Sequence, residues 1–319
     1  MTSGTPLAPG FRALLHEPDA GDEPPPEPWD LPIAETRQLY RDMMLAGSPP
    51  EFWSPVARTT ESTLPLPSGP RPARVHYPLR PLGRTVVYFH GGGWTLGDLD
   101  THDGVARLIC DELGATVVSV HLPLAPESPF PGPIISAVEA VLHVSRERAG
   151  LGGAGAPLIV AGDSSGANIA AAAVRRIANT RPGLVSAQFL LYPATDLSSG
   201  YPDTLPCASG YWFEAKHARW FVEQYLPDPA LAQDPDASLV YAQDLSGMPP
   251  TALVTGSHDL LHDEGARYAD LLQRAGVKAT FTEALGMIHG FFGFASTIPE
   301  AGEAARLGCA ALTALLPPG

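Results

Sequence analysis

The chain has 319 residues, 45% of them hydrophobic, and a formal net charge of −14. That length exceeds a typical domain of ~100–200 residues yet suits one α/β core with insertions, and the negative charge opposes binding to nucleic acid or an anionic membrane surface. No run approaches the ~18 apolar residues of a membrane span, and the start MTSGTPLAPGFRALL lacks a charged segment followed by an apolar one, so no secretory signal is read and the cytoplasm is the expected compartment.

Residues 1–30 are rich in Pro, Gly and acidic residues, the composition of a tail that cannot bury enough apolar surface to order itself. From Leu31 to Met44 the pattern LPIAETRQLYRDMM turns amphipathic and predicts a short helix, so residues 1–58 are read as a disordered tail followed by a cap helix. Short apolar runs then recur at Ala73–Tyr77, Thr85–Phe89, Thr116–Val120, Leu158–Ala161, Gln188–Tyr192, Thr251–Thr255 and Thr280–Glu283. Most are apolar throughout, as expected of strands covered on both faces. Helical patterns fall between them at Asp103–Leu113, Ile134–Arg148, Ser165–Asn179, Asp263–Ala275 and Glu300–Leu316.

This alternation predicts an α/β fold over residues 59–319, a mainly parallel sheet flanked by helices with right-handed crossovers. The stretch 196–234 breaks the rhythm: it carries Tyr201, Tyr211, Trp212, Phe213, Trp220, Phe221 and Tyr225, with Glu214–Tyr225 reading as a helix. An aromatic insertion between two such strands is expected to form a helical cap over a pocket, ordinary core packing being the alternative. Cys110, Cys207 and Cys309 are scattered without paired or metal-binding spacing and are expected to be buried free thiols.

Two serines stand side by side in Gly162-Asp163-Ser164-Ser165-Gly166. The frame Gly-x-Ser-x-Gly fits only with Ser164 at its centre, since a frame centred on Ser165 would need glycine at Asp163 and Ala167. In this frame a sharp strand-to-helix turn strains the central residue, and its flanks must be small so that neighbouring chain can approach. Ser165 then opens the helix, with its amide and not its hydroxyl pointing to where an oxyanion would form. His90-Gly91-Gly92-Gly93-Trp94 follows the strand TVVYF, and consecutive glycines there leave backbone N–H groups free to turn toward a ligand.

These motifs resemble the bacterial branch of the hormone-sensitive lipase family within the α/β hydrolases, close in pattern to acetyl esterases. The resemblance runs from about Val86 to Phe292 through His90–Trp94, Leu96–His102, Leu124–Glu127, Gly162–Gly166, Met248–Pro250, Asp259 and His289–Phe291. It implies Ser164 as nucleophile, Asp259 as acid and His289 as base. Chain order leads to the same pair, because in this fold the acid and then the histidine follow late strands: Asp259 follows TALVT and His289 follows ATFTEA. Asp263 is the rival acid, but it suits the first turn of the next helix, where a carboxylate favours the dipole. The chain departs from the family where His121-Leu122-Pro123 replaces an Asp-Tyr-Arg-like run, which removes a charged group near the pocket.

The expected chemistry is acyl transfer to Ser164 and then to water, with the amides of Gly91, Gly92 and Ser165 binding the oxyanion. It requires no cofactor and no metal: His258 and His262 sit four apart but lack the glutamate placement of a metalloprotease helix. The expected partner is a small acyl ester, with short acyl groups implied by the resemblance, and a homo-oligomer is compatible with this reading. His90 and Trp94 are expected to shape the glycine loop and Glu127 to anchor it. An amidase or deacetylase uses the same triad, and a receptor on the same fold would bind without turnover.

Overall fold

The computed structural model describes residues 5–15, 26–151, 153 and 157–316. In chain order it has α1 (Pro9–Leu14), α2 (Ile33–Gly47), β1 (Arg58–Leu66), β2 (Gly69–Tyr77), β3 (Arg84–Phe89), α3 (Asp103–Leu113), β4 (Ala115–Val120) and α4 (Gly132–Glu147). There follow β5 (Leu158–Asp163), α5 (Ser165–Thr180), β6 (Ala187–Leu191), α6 (Ala215–Tyr225), β7 (Thr251–His258), α7 (His262–Arg274), β8 (Ala279–Ile288) and α8 (Pro299–Leu315). Among the described residues these strands form one eight-stranded sheet ordered β1-β2-β4-β3-β5-β6-β7-β8. The hairpin β1–β2 joins antiparallel, and the other six strands run parallel.

Period-two alternation sends each central strand's side chains into two separate cores. Val87 and Phe89 of β3 pack with α4 and α5, while Val86 and Tyr88 pack with α3 and α8. Both faces are covered, which is why these strands are apolar throughout. From β3 the chain crosses to β4 on one side and then returns over the sheet to β5 on the other. The carboxyl ends of β3 and β5 therefore meet at the point where the winding reverses, the place where open α/β sheets form a crevice.

Two segments differ from the sequence expectation. Strand β1 lies at the sheet edge with most of its side chains exposed, burying only Leu64 and Leu66. Within residues 1–30, Pro9–Leu14 is helical and not a loose tail: the Phe11 ring is fully buried, edge-on to Phe294, and the Ala8 amide donates to the Gly286 carbonyl at 3.0 Å. Residues 1–4 and 16–25 of that expected tail lie outside the described residues.

Helix α2 lies over the loop that follows β3. Arg37 donates through Nε to the Thr95 carbonyl at 2.9 Å and through Nη2 to the Ala125 carbonyl at 2.9 Å, and it grips Glu127 with both Nη groups. Arg41 pairs with Asp98 and Asp100. Glu127 thus reaches the glycine loop through Arg37, not by its own hydrogen bonds.

Candidate active site

Ser164 sits between β5 and α5 with φ 53° and ψ −122°, a strained conformation for a residue with a side chain, of order ~1–3 kcal/mol. The turn is tight because the elements around it touch: a Cβ on Gly162 would collide with the Gly166 carbonyl, and one on Gly166 with the carbonyls of Phe89 and His90. The Ser164 amide is held by the Leu191 carbonyl at 2.8 Å. The first turn of α5 points its free N–H groups, and the positive end of its dipole, toward the Ser164 side chain.

Asp259 and His289 are brought together by strand pairing. His258 of β7 pairs with Ile288 of β8 past an irregularity in the register, so the next residue on each strand leaves the sheet at the same place. His289 Nδ1 lies 3.0 Å from both Asp259 carboxylate oxygens, and its Nε2 lies 2.9 Å from Ser164 Oγ. With the carboxylate as acceptor, Nδ1 carries the proton and Nε2 is left to accept from the serine hydroxyl. Asp259 also takes the Leu261 amide at 2.8 Å, which fixes its carboxylate. Asp263 stands in the first turn of α7 against His262 Nδ1 at 2.8 Å and takes no part in this chain of bonds.

The glycine loop differs from expectation at one residue. Gly91 cannot offer its amide to an oxyanion, because that N–H donates to Asp163 Oδ1 at 2.8 Å. The amides of Gly92 and Gly93 bond to no acceptor among the described residues, and both glycines line the cavity at Ser164. Gly93 must be glycine: it has φ +59°, and a Cβ there would run into the Phe221 ring. Of the three loop glycines, Gly92 and Gly93 are thus the two whose amides remain uncommitted among the described residues.

Asp163 is the hub beneath this loop. Its Oδ1 also accepts from Tyr88 Oη at 2.6 Å, and its Oδ2 lies 3.5 Å from His102 Nε2. Burial alone would raise this carboxyl, but His102, the Tyr88 hydroxyl and His90 together hold it below its ordinary value. His90 donates from Nδ1 to the Gly91 carbonyl at 2.8 Å, so its Nε2 accepts from His121 Nδ1 at 3.0 Å. Burial, with His121 and His102 close by, pushes His90 down to about 3 and keeps it neutral. His121, the first residue of the His121-Leu122-Pro123 run, thus supports the glycine loop through His90. Trp94 stacks on Tyr225 at 4.5 Å and donates to Asn168 Oδ1 at 3.2 Å, which ties the loop to α5.

Sequence reasoning overlooked Asp163, His102 and Gly93. The variable position in the Gly-x-Ser-x-Gly frame was the available signal for Asp163, since an acid beside a nucleophile has to be neutralised by something.

A cavity of about 670 Å³ opens at Ser164. Its wall takes Leu39, Tyr40 and Met43 from α2, Tyr211, Trp212, Phe213 and Phe221 from the segment between β6 and β7, and Phe294 from the turn after His289. The aromatic insertion therefore walls the site without filling it. Phe213 lies on His289 with ring centroids 4.6 Å apart, and Tyr192 meets the same ring edge-on at 4.9 Å. His258 sits against Tyr211 and His262 between Asp263 and Glu283, both apart from Ser164, and among the described residues no cluster has the makeup of a metal site. The three cysteines are free and buried, and no helix among the described residues is long and apolar enough to cross a membrane.

An acute strand-to-helix turn presenting a serine at the switch point of a parallel sheet, with acid and histidine on loops after the last two strands, defines an α/β hydrolase. A family model described as alpha/beta hydrolase fold matches residues 86–293. The chain is 38% identical to the carboxylesterase NlhH of Mycobacterium tuberculosis over 246 residues, 76% of this chain and 77% of that one. It is 33% identical over 222 residues to a protein of Pseudomonas putida named ethyl acetate hydrolase, covering 69% of this chain and 70% of that one. Among solved structures, the Pyrobaculum calidifontis esterase superposes with a TM-score of 0.89 at 34% identity, covering 97% of this chain and 100% of that one. The chain belongs to the α/β hydrolase family, in its hormone-sensitive-lipase-like branch of carboxylic ester hydrolases.

Proposed function

We propose that this carboxylesterase hydrolyses esters of short acids through an acyl-enzyme on Ser164. The observation that carries the reading is the continuous chain of hydrogen bonds from Asp259 through His289 to Ser164 Oγ. His289 Nε2 takes the hydroxyl proton as Oγ bonds to the ester carbonyl carbon, and the resulting oxyanion sits on the amides of Gly92, Gly93 and Ser165. Each such donor stabilises the transition state by roughly 2–4 kcal/mol. The intermediate collapses by breaking the carbon–oxygen bond to the alcohol, which leaves with the proton from His289. Water then gives a proton to His289 and attacks the acyl carbon; Ser164 Oγ departs, recovers the proton, and the acid is released. Asp259 keeps the proton on Nδ1 and stabilises the imidazolium formed in each half-reaction.

The short-acyl reading has two supports. A second cavity of about 20 Å³ touches Ser164, Ser165 and Gly93 and is walled by Trp94, Tyr201, Phe213 and Phe221. An added methylene gains only ~0.8 kcal/mol from burial but costs ~1–3 kcal/mol when forced into a filled site, so overpacking decides. The likeness to a relative named for ethyl acetate points the same way. In this reading α2 and the insertion around 196–234 act together as the cap.

The test is kcat/KM for one alcohol esterified with acids from acetyl to decanoyl. Acetyl to butyryl should be fastest, with a steep fall beyond about hexanoyl. An optimum at decanoyl would overturn the short-acyl reading. Binding of every ester without release of acid would overturn the acyl-enzyme.

A further inference from the structure

The two cavities at Ser164 are unequal in a way that bears on the alcohol. Resting on the acyl-transfer reading above, we infer that the large chamber receives the alcohol portion, which makes the preferred substrates short-acid esters of bulky, neutral, apolar alcohols.

The assignment follows from where a proton has to go. Both cavities are lined by Ser164, Gly93, Phe213 and Phe221, so these two rings form the partition between them. His289 and Gly290 line only the chamber of about 670 Å³, while Ser165 lines the one of about 20 Å³ and not the larger. The departing oxygen must accept the proton on His289 Nε2, so the alcohol leaves into the compartment that His289 faces. The acyl group takes the other direction, past Gly93 and Ser165, into the far smaller cavity of about 20 Å³, which a short chain enlarges only by shifting the rings around it.

The chamber's chemistry sets the class of alcohol. Its volume lies in the ordinary range of a small-molecule site, ~300–1,000 Å³. Leu39 and Met43 of α2 remain 41% and 40% exposed, apolar surface that a bound alcohol would cover. The charged side chains in the wall are already engaged with one another. Lys216 Nζ lies 2.5 Å from Glu27 Oε1 and 3.1 Å from Glu214 Oε2, and His217 Nε2 lies 3.0 Å from Glu27 Oε2. Deeper in, His102 faces Asp163 and His289 faces Asp259. None of these charges is left to pair with a charged alcohol.

Octyl acetate and ethyl octanoate separate this idea from simple hydrophobicity, because they are isomers with the ester reversed. Octyl acetate should have the higher kcat/KM by ~10-fold or more. Met43→Trp, which fills the chamber, should lower the ratio of octyl acetate to ethyl acetate. Phe221→Leu and Phe213→Ala, which thin the partition, should each raise ethyl octanoate relative to its isomer. The isomer ratio is internal to each variant, so a general loss of activity or stability does not move it. If ethyl acetate is hydrolysed but ethyl octanoate equals or exceeds octyl acetate, or the ratios ignore these substitutions, the assignment of the chamber is wrong while the esterase stands. If none of the three esters yields acid, the acyl-enzyme reading fails and this inference fails with it.

Discussion

The Gly91 amide lies 2.8 Å from Asp163 Oδ1, so the residue just before the candidate nucleophile holds the loop that faces it. The pairing of β3 with β5 sets up this contact, since Phe89 and Gly162 are in register and the next residues of each strand emerge together. Asp163→Ala should leave the Gly91 N–H and the Tyr88 hydroxyl without their acceptor, at ~1–3 kcal/mol each. Loosening the loop by a fraction of an ångström should lower kcat by about 10²-fold with less change in KM. Asp163→Asn, which can keep the acceptor oxygen, should lose less on both counts. Steady-state kinetics and thermal melts of the two variants check this; equal kcat in the Ala and Asn variants would deny Asp163 a positioning role.

Of the two neighbouring aspartates, only Asp259 meets His289. Asp259→Asn should cost about 10⁴-fold in kcat, because the wrong imidazole tautomer is favoured. Asp263→Asn removes only an exposed contact with His262 and should change kcat little. The kcat of both variants decides the matter, with circular dichroism to confirm that each is folded.

Glu264 gives a prediction for pH. Its Oε1 accepts from the amides of Thr195 at 2.6 Å and Asp196 at 3.2 Å, at the start of the segment that walls the cavity. Burial, with Asp196 and Asp259 nearby, raises its carboxyl from 4.5 to about 8 despite those two amide donors. Arg267 pairs with Asp196 and Tyr201 also faces the carboxyl. A raised acid favours the folded state fully below its unfolded pKa, and that contribution is lost as pH rises from 4.5 through about 8. Glu264→Gln, which keeps the acceptor oxygen, should therefore melt close to wild type near pH 5 and above it near pH 9. Parallel melting curves of the two proteins at both ends of the range would reveal a reversed order if the sign were wrong.

Strands β3 to β7 were legible because each is buried on two faces and so reads as a largely apolar run, whereas β8, at the other edge of the sheet, is buried mainly toward its end. Strand β1 was not legible: its exposed edge position leaves only Leu64 and Leu66 as apolar signal, and Pro65, Pro70 and Pro72 in the hairpin argue against a strand. Helix α1 was hidden in a polar, Pro-rich stretch because what orders Phe11 is Phe294, far along the chain. Ser164 could be found from its register because the collisions that demand Gly162 and Gly166 are local. That the Gly91 amide is not free could not be read from the loop, since its acceptor is Asp163, 72 residues away. Gly93 is marked instead by the Phe221 ring, contributed by the segment between β6 and β7.

The account centres on Ser164 as the nucleophile, and a fluorophosphonate located by peptide mass spectrometry tests that most directly. Ser164→Ala should take up no label and lose nearly all turnover. Ser165→Ala should label normally and keep much of its activity, because it retains the backbone amide that faces the oxyanion. The predicted result is one phosphonyl group per chain, on Ser164; a label on Ser165, or full labelling of the Ser164→Ala protein, would contradict it.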